Sequence, residues 1–218
     1  MIVVETFPVG PLQCNCSIIG CQTSGEAVVV DPGGDPEIIE EKLEKLGLKA
    51  KYLLHTHAHF DHVLGSRKMK ESTGAKICLH KEDQWLYDNL DKQCQMFGFA
   101  PDKPLPVDHY LEDEESVQAG EIVARVLHTP GHTPGSLCYF MEGTKEGTKG
   151  DEPFLFAGDT LFSGSIGRTD LWGGSYEQII KSISERLMVL EDETRVIPGH
   201  GPATSIWSEK KHNPYVKC

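Results

Sequence analysis

Residues 51–62 read KYLLHTHAHFDH. A short apolar run of strand character delivers the chain directly into His57, and four metal-ligand side chains then fall within six positions: His57, His59, Asp61 and His62. In an extended segment the side chains at i and i+2 share a face, so His57 and His59 converge on one ion. Where the chain turns into the following helix, Asp61 and His62 point the other way, toward a second. Neutral imidazole and carboxylate are the donors that suit zinc, iron or manganese. The chain has ten histidines, but their chance scatter does not produce this packing of ligands at a strand end.

Outward from this stretch the first third alternates strand and helix signals. MIVVETF (1–7), CSIIG (16–20) and EAVVVD (26–31) read as strands separated by turn residues. Asp35-Pro36 supplies an N-cap and a first-turn proline for a helix running to Leu46, with Gly47 as its C-cap. Beyond the histidine cluster we expect a helix over 63–71, a strand AKICLH (75–80) and a helix over 82–90. Strands follow at EIVARVLH (121–128), SLCYFM (136–141) and PFLFAGD (153–159), then a helix over 176–190 and a strand RVIPGH (195–200). Residues 94–108 hold three prolines and no clear period, and read as a surface loop, either a lid or an ordinary connection. The polar run 142–152 reads as a flexible hairpin tip. Nothing marks a linker, so residues 1–218 read as one α/β domain with sheets covered by helices.

Three further pieces carry ligand chemistry in the same kind of place. In TPGH (129–132), FAGD (156–159) and IPGH (197–200) a strand ends, a glycine follows, and one ligand-type residue comes next: His132, Asp159 and His200. Glycine lets the backbone turn sharply there and leaves room beside the chain, and strand ends of α/β sheets are where sites collect. Among the remaining histidines, His55 lies on the same strand face as His57. His128 fits a supporting place before the TPGH turn, and His80, His109 and His212 fit the surface.

Composition sets the outer bounds. At 218 residues with 39% hydrophobic and 25% charged side chains, the chain has the make-up of a soluble globular protein. Its length lets it fold without a structural metal or disulfide. A net charge of −12 makes nucleic acid and anionic membrane poor partners, and no apolar run approaches membrane-spanning length. The N-terminus lacks the pattern of a secretory signal. The seven cysteines form no regular framework, so we expect reduced thiols in a cytoplasmic protein. Cys14, Cys16 and Cys21 read as small buried hydrophobes, not as a metal knuckle.

The order HAHFDH (57–62), TPGHTPGS (129–136), GDTLF (158–162) and PGHG (198–201) resembles the metallo-β-lactamase superfamily. More narrowly it resembles the glyoxalase II-like (hydroxyacylglutathione hydrolase-like) enzymes, in the short form without the C-terminal helical domain. The likeness runs from VVVDPGG (28–34) to HNPY (212–215). It implies a four-layer αββα sandwich and two divalent metal ions, zinc first, with iron or manganese as alternatives. By position, His57, His59 and His132 would hold one metal and Asp61, His62 and His200 the other, with Asp159 bridging them. The resemblance assigns His55 no ligand role, and on that ground alone core packing or a supporting place is favoured for it. The implied reaction is hydrolysis of a small-molecule thioester, such as S-lactoylglutathione, by a metal-bridged hydroxide that the catalytic Asp61 orients. Zinc brings a bound water to a pKa near 7, and a thiolate leaving group, with a pKa near 8.5, needs little help from an acid. An amide nitrogen would need a proton donor, and no such donor is identifiable. β-Lactamases of this fold also commonly carry cysteine where Asp159 stands.

Arg168, in GSIGRTD (164–170), falls where such enzymes carry a basic residue. It reads equally as a clamp for a substrate carboxylate and as a structural partner of Asp170. The absent helical domain leaves glutathione itself open as the thiol carrier. The chief rival reading is a mononuclear iron persulfide dioxygenase-like oxidoreductase, which GSIGRTD also resembles and which would use His57, His132 and Asp159 alone.

Overall fold

The computed structural model of the chain describes residues 1–98, 101–143 and 152–216. Most of the run 142–152, for which the sequence suggests a hairpin tip, lies outside the described residues, as does Cys218. By its contacts the chain divides into two compact units. Residues 1–111 and 118–122 form one, and residues 112–117 and 123–218 the other.

The first unit is built on a six-stranded sheet in sequence order. Strands β1 (Ile2–Val9), β2 (Cys14–Cys21) and β3 (Glu26–Val30) form an antiparallel meander. β4 (Lys49–Leu54), β5 (Lys76–His80) and β6 (His109–Leu111) then add in parallel. Pro8 is tolerated in β1 because that strand is the sheet's edge and pairs only with β2. Parallel neighbours need crossovers: α1 (Pro36–Leu46) joins β3 to β4, and α2 (Phe60–Val63) with α3 (Ser66–Thr73) joins β4 to β5. Val29, Leu53, Ile77 and Leu79 of the strands pack with Ile39, Leu43 and Met69 of the helices in one core.

Three details depart from the expectations above. Asp35 occupies the N-cap position of α1 but makes no side-chain cap. It sits in the left-handed region, and its carboxylate accepts the Gly10 N–H at 2.8 Å instead. The single helix expected over 63–71 is two helices broken at Gly65. There the backbone N–H leaves the helix to donate to the Pro32 carbonyl at 2.8 Å, and a side chain would meet that carbonyl at 2.6 Å. The helix expected over 82–90 begins as a 3-10 turn, Lys81–Asp83, and continues as α4 (Gln84–Asp88) and α5 (Leu90–Met96). The first residues of the expected loop 94–108 are therefore helical. Residues 101–107 line a groove of about 590 Å³ with Tyr87, Asp88 and Asp91.

The second sheet, ordered β14-β13-β10-β9-β8-β7, belongs to the second unit apart from residues 118–122. Its strands are β7 (Ser116–Ala119), β8 (Ile122–His128), β9 (Leu137–Met141), β10 (Phe154–Gly158), β13 (Arg195–Pro198) and β14 (Thr204–Ser205). A hairpin of β11 (Leu161–Phe162) and β12 (Ser165–Ile166) follows β10. Among the described residues this unit's α-helices are α6 (Tyr176–Ser182) and α7 (Ile206–His212). The helix expected to reach residue 190 passes after Ser182 into a π-helical turn, Ile183–Leu187. Leu155, Ala157 and Val196 of the strands pack with Ile179, Ile183, Leu187 and Ile206 in this unit's core.

Candidate metal centre

In the first unit, the C-terminal ends of three adjacent parallel strands deliver the polar groups. Asp31 follows β3, Thr56 and His57 follow β4, and Asp83 lies just past β5. His57, His59, Asp61 and His62 are all buried. The rings of His57 and His59 stand edge to face, 4.8 Å between centroids, and those of His57 and His62 lie 4.0 Å apart. His62 Nε2 faces Asp61 Oδ2 at 3.7 Å.

Buried carboxylates hold this segment in shape. Asp31 accepts the Thr56 N–H and the Thr56 hydroxyl, both at 2.7 Å, and His62 Nδ1–H at 3.0 Å. Asp83 accepts the Ala58 N–H at 2.9 Å, and Gln93 accepts that of Phe60 at 3.1 Å. Gly33 lets the Asp31 loop lie against the ligand segment, since a Cβ there would fall 1.7 Å from the Asp61 carbonyl oxygen. Cys14 Sγ reaches 3.4 Å from His62 Nδ1. Burial pushes the Cys14 thiol up to about 12, and burial likewise raises Cys16.

These bonds assign the histidine tautomers. The Thr56 hydroxyl spends its hydrogen on Asp31, so its oxygen accepts from His57 Nδ1–H at 3.1 Å. His62 spends its Nδ1–H on Asp31. Both rings are thereby left with the Nε2 lone pair for a cation, the arrangement in which a second layer of partners orients metal ligands. His55 is different. It is fully buried with Nε2 at 3.1 Å from the Ser66 hydroxyl, and burial depresses it to about 4. It is a neutral packing residue.

The second unit gathers His132, Asp159 and His200. Each follows a strand end, β8, β10 or β13, as the three glycine-containing motifs suggest. Gly131 and Gly158 adopt positive φ, at 141° and 48°. In the third motif the left-handed residue is Gly201, after the histidine, so the turn there is made one residue later than the pattern implies. His132 Nδ1–H donates to the Arg168 carbonyl at 2.8 Å, which again leaves Nε2 as the acceptor. That nitrogen faces Asp159 Oδ2 at 3.5 Å, while His200 Nε2 faces Asp159 Oδ1 at 3.9 Å. A neutral imidazole lone pair and a carboxylate oxygen are both acceptors, and these separations exceed hydrogen-bond length. A divalent cation between them would satisfy both. The donor set fits zinc, iron or manganese on these grounds.

Arg168 forms a two-pronged ion pair with Asp170, Nε to Oδ1 at 2.7 Å and Nη2 to Oδ2 at 2.8 Å, with both side chains largely exposed. The pairing raises Arg168 and lowers Asp170 to about 2. His128 Nε2–H donates to the Pro134 carbonyl at 2.9 Å, within the loop that carries His132. The supporting residues Asp31, Thr56, Asp83 and Gln93 are not singled out by sequence reasoning. The one signal for them is VVVDPGG, in which an aspartate ends an apolar strand.

The model of the metallo-beta-lactamase superfamily matches residues 9–200. The hydroxyacylglutathione hydrolase GloC of Haemophilus influenzae is 39% identical, over 98% of this chain and 97% of that protein. The crystal structure of the BLEG-1 B3 metallo-beta-lactamase superposes with a TM-score of 0.87 at 37% identity, covering 99% of this chain and all of that one. That of TTHA1623 in a di-iron-bound form gives 0.82 at 37%, covering 97% and 100%. Sequence and architecture agree along nearly the whole length, and the chain belongs to the metallo-β-lactamase superfamily, whose fold it has.

Proposed function

We propose that this protein is a metal-dependent thioester hydrolase of the glyoxalase II type, with His57, His59, Asp61, His62, His132, Asp159 and His200 as ligands of two divalent ions. The observation that carries the reading is Asp159, whose two carboxylate oxygens are divided between His132 and His200. That is the disposition a bridging carboxylate needs, and a mononuclear dioxygenase gives no reason for it. The name of the Haemophilus relative and the di-iron form of TTHA1623 support the same reading.

Held by these residues, two such ions would lower the pKa of a bound water and polarise the carbonyl under attack. Within the chain, Asp61 orients the attacking water and takes up its proton. Asp31 and Thr56 keep His57 and His62 in the tautomer that binds, and the Arg168 carbonyl does the same for His132. Zinc is the first expectation for the resident ion, with iron and manganese as the alternatives.

The test is anaerobic thiol release from S-lactoylglutathione and neutral 2-hydroxyacyl thioesters, with zinc, iron and manganese supplied in turn. Oxygen uptake with glutathione persulfide and opening of a chromogenic β-lactam are followed in parallel. Thioester turnover without oxygen is the expected result. Persulfide-dependent oxygen uptake with one iron per chain and no thiol release would overturn the reading, and so would β-lactam opening alone.

Arg168 is the proposed clamp for a substrate carboxylate, using the N–H groups that its pair with Asp170 leaves over. Arg168→Met is then expected to raise KM for an acidic thioester and to leave a neutral one nearly unchanged. Equal losses on both, with lower thermal stability, would reduce Arg168 to a structural partner of Asp170.

A further inference from the structure

The C-terminal helix α7 carries a carboxylate that is 2% exposed, Glu209, and all three of its described hydrogen bonds lead to segments that follow ligand positions or to its own helix end. Oε1 accepts the Thr204 hydroxyl at 2.6 Å, four residues after His200. Oε2 accepts the Gly164 N–H at 2.9 Å, in the β11–β12 turn that follows Asp159. It also accepts Asn213 Nδ2–H at 2.7 Å. Asn213, 4% exposed, donates from the same Nδ2 at 3.0 Å to the carbonyl of Ser165, the first residue of β12. Its Oδ1 accepts the Tyr215 N–H at 3.0 Å.

The hairpin held in this way leads straight back to two ligands. Gly167 N–H donates to the Thr160 carbonyl at 3.3 Å. Gly167 also packs so closely on Asp159 that a Cβ would sit 1.7 Å from the Asp159 carbonyl oxygen and 3.3 Å from His132 Cβ. The next residue, Arg168, is the one whose carbonyl fixes the His132 ring. One buried carboxylate thus spans the stretch behind His200 and the hairpin behind Asp159 and His132. A buried acid costs desolvation unless its acceptor sites are filled, and here backbone and side-chain donors from those two stretches fill them.

We propose that Glu209 and Asn213 are positioning residues that set the spacing of His132, Asp159 and His200, so that the tail segment 206–216 is part of the metal-binding apparatus and not merely the end of the chain. The inference rests on the metal reading above but not on the identity of the substrate.

The test measures zinc affinity of the metal-free full-length chain by chelator competition, together with the visible spectrum of its cobalt form. The variants are Glu209→Ala, Glu209→Gln and Asn213→Ala, each checked for folding by circular dichroism. Glutamine keeps one oxygen for Gly164 and Asn213 and offers its amide to the Thr204 oxygen, so it should preserve the clamp. We expect zinc affinity at the His132–Asp159–His200 set to fall at least tenfold in Glu209→Ala, with an altered cobalt spectrum, and to stay within about threefold of wild type in Glu209→Gln. Asn213→Ala should fall between them. Wild-type affinity and spectrum in Glu209→Ala, or equal loss in the alanine and glutamine variants, would overturn the clamp. If Glu209→Ala does not fold, an Asn213→Ala chain with unchanged affinity and spectrum overturns it. A wild-type chain that binds no zinc, iron or manganese would instead overturn the metal reading itself, and the clamp with it.

Discussion

Asp31 is the residue on which most of the first half-site turns, although it is not itself among the proposed ligands. Its three bonds, to Thr56 N, Thr56 Oγ1 and His62 Nδ1, are all to segments 25 to 31 residues away in sequence. In Asp31→Asn one oxygen becomes an amide donor. If the remaining oxygen keeps the Thr56 N–H, the amide faces His62 Nδ1 and favours the opposite tautomer, with the proton on Nε2. The variant is expected to stay folded and to lose roughly 10- to 100-fold in zinc affinity, measured by chelator competition. An unchanged affinity would mean that Asp31 serves only to shape the loop. Cys14 illustrates the same dependence on context. Its composition marks it as a small buried hydrophobe, and it is buried, yet it lies against a proposed metal ligand.

At the scale of elements, the loop that carries His132 is tied down at its base by an ion pair between distant segments. Arg186, in the π-helical turn after α6, donates to both Asp113 oxygens at 2.8 Å. Asp113 also accepts the N–H of His128, the last residue of β8, at 2.8 Å. Burial works to raise Asp113, but the Arg186 bonds and the His128 N–H outweigh it and hold the carboxyl below its ordinary value. A carboxyl with a lowered folded pKa stabilises fully above its unfolded pKa, near 3.9, and the contribution disappears as pH falls through the folded value. Asp113→Asn should therefore cost about 1 kcal/mol at pH 7, a figure kept small because the side chain is 40% exposed. Urea unfolding at pH 7 and again near pH 2 should show the difference between wild type and variant shrinking. A gap of equal size at both values would mean that the charge of Asp113 is irrelevant.

For the molecule as a whole, each unit has its own apolar core, and neither core includes a proposed ligand. No helix among the described residues is long and apolar enough to cross a membrane. Chelation is therefore expected to leave the far-ultraviolet circular dichroism of the chain nearly unchanged while lowering Tm. The stabilisation lost is about 4 kcal/mol where free metal had stood 1,000-fold above its Kd. Collapse of the secondary structure on chelation would show that the metals hold the fold and not only the site.

The proposed ligands were legible in the sequence because each stands beside its own local signal. HxHxDH follows an apolar strand, and His132, Asp159 and His200 each follow a glycine at a strand end. The helix Pro36–Leu46 was legible for the same reason, since proline and glycine bracket an apolar period. Apart from Asp31, which ends the apolar strand of VVVDPGG, no local pattern carried the partners that orient those ligands. Asp83, Gln93, Glu209 and Asn213 are polar residues in ordinary surroundings along the chain, and only tertiary contacts bury them against the ligand loops. The helix break at Gly65 and the lost cap at Asp35 belong to the same class. In each, a backbone or carboxyl group that local rules would keep inside its own helix is claimed by a segment about 25 to 33 residues away. Propensity and spacing act over a few residues and so determined the elements and the donor set. Hydrogen-bond satisfaction in a buried, folded interior acts over any sequence distance, and it alone decided how those donors are aimed.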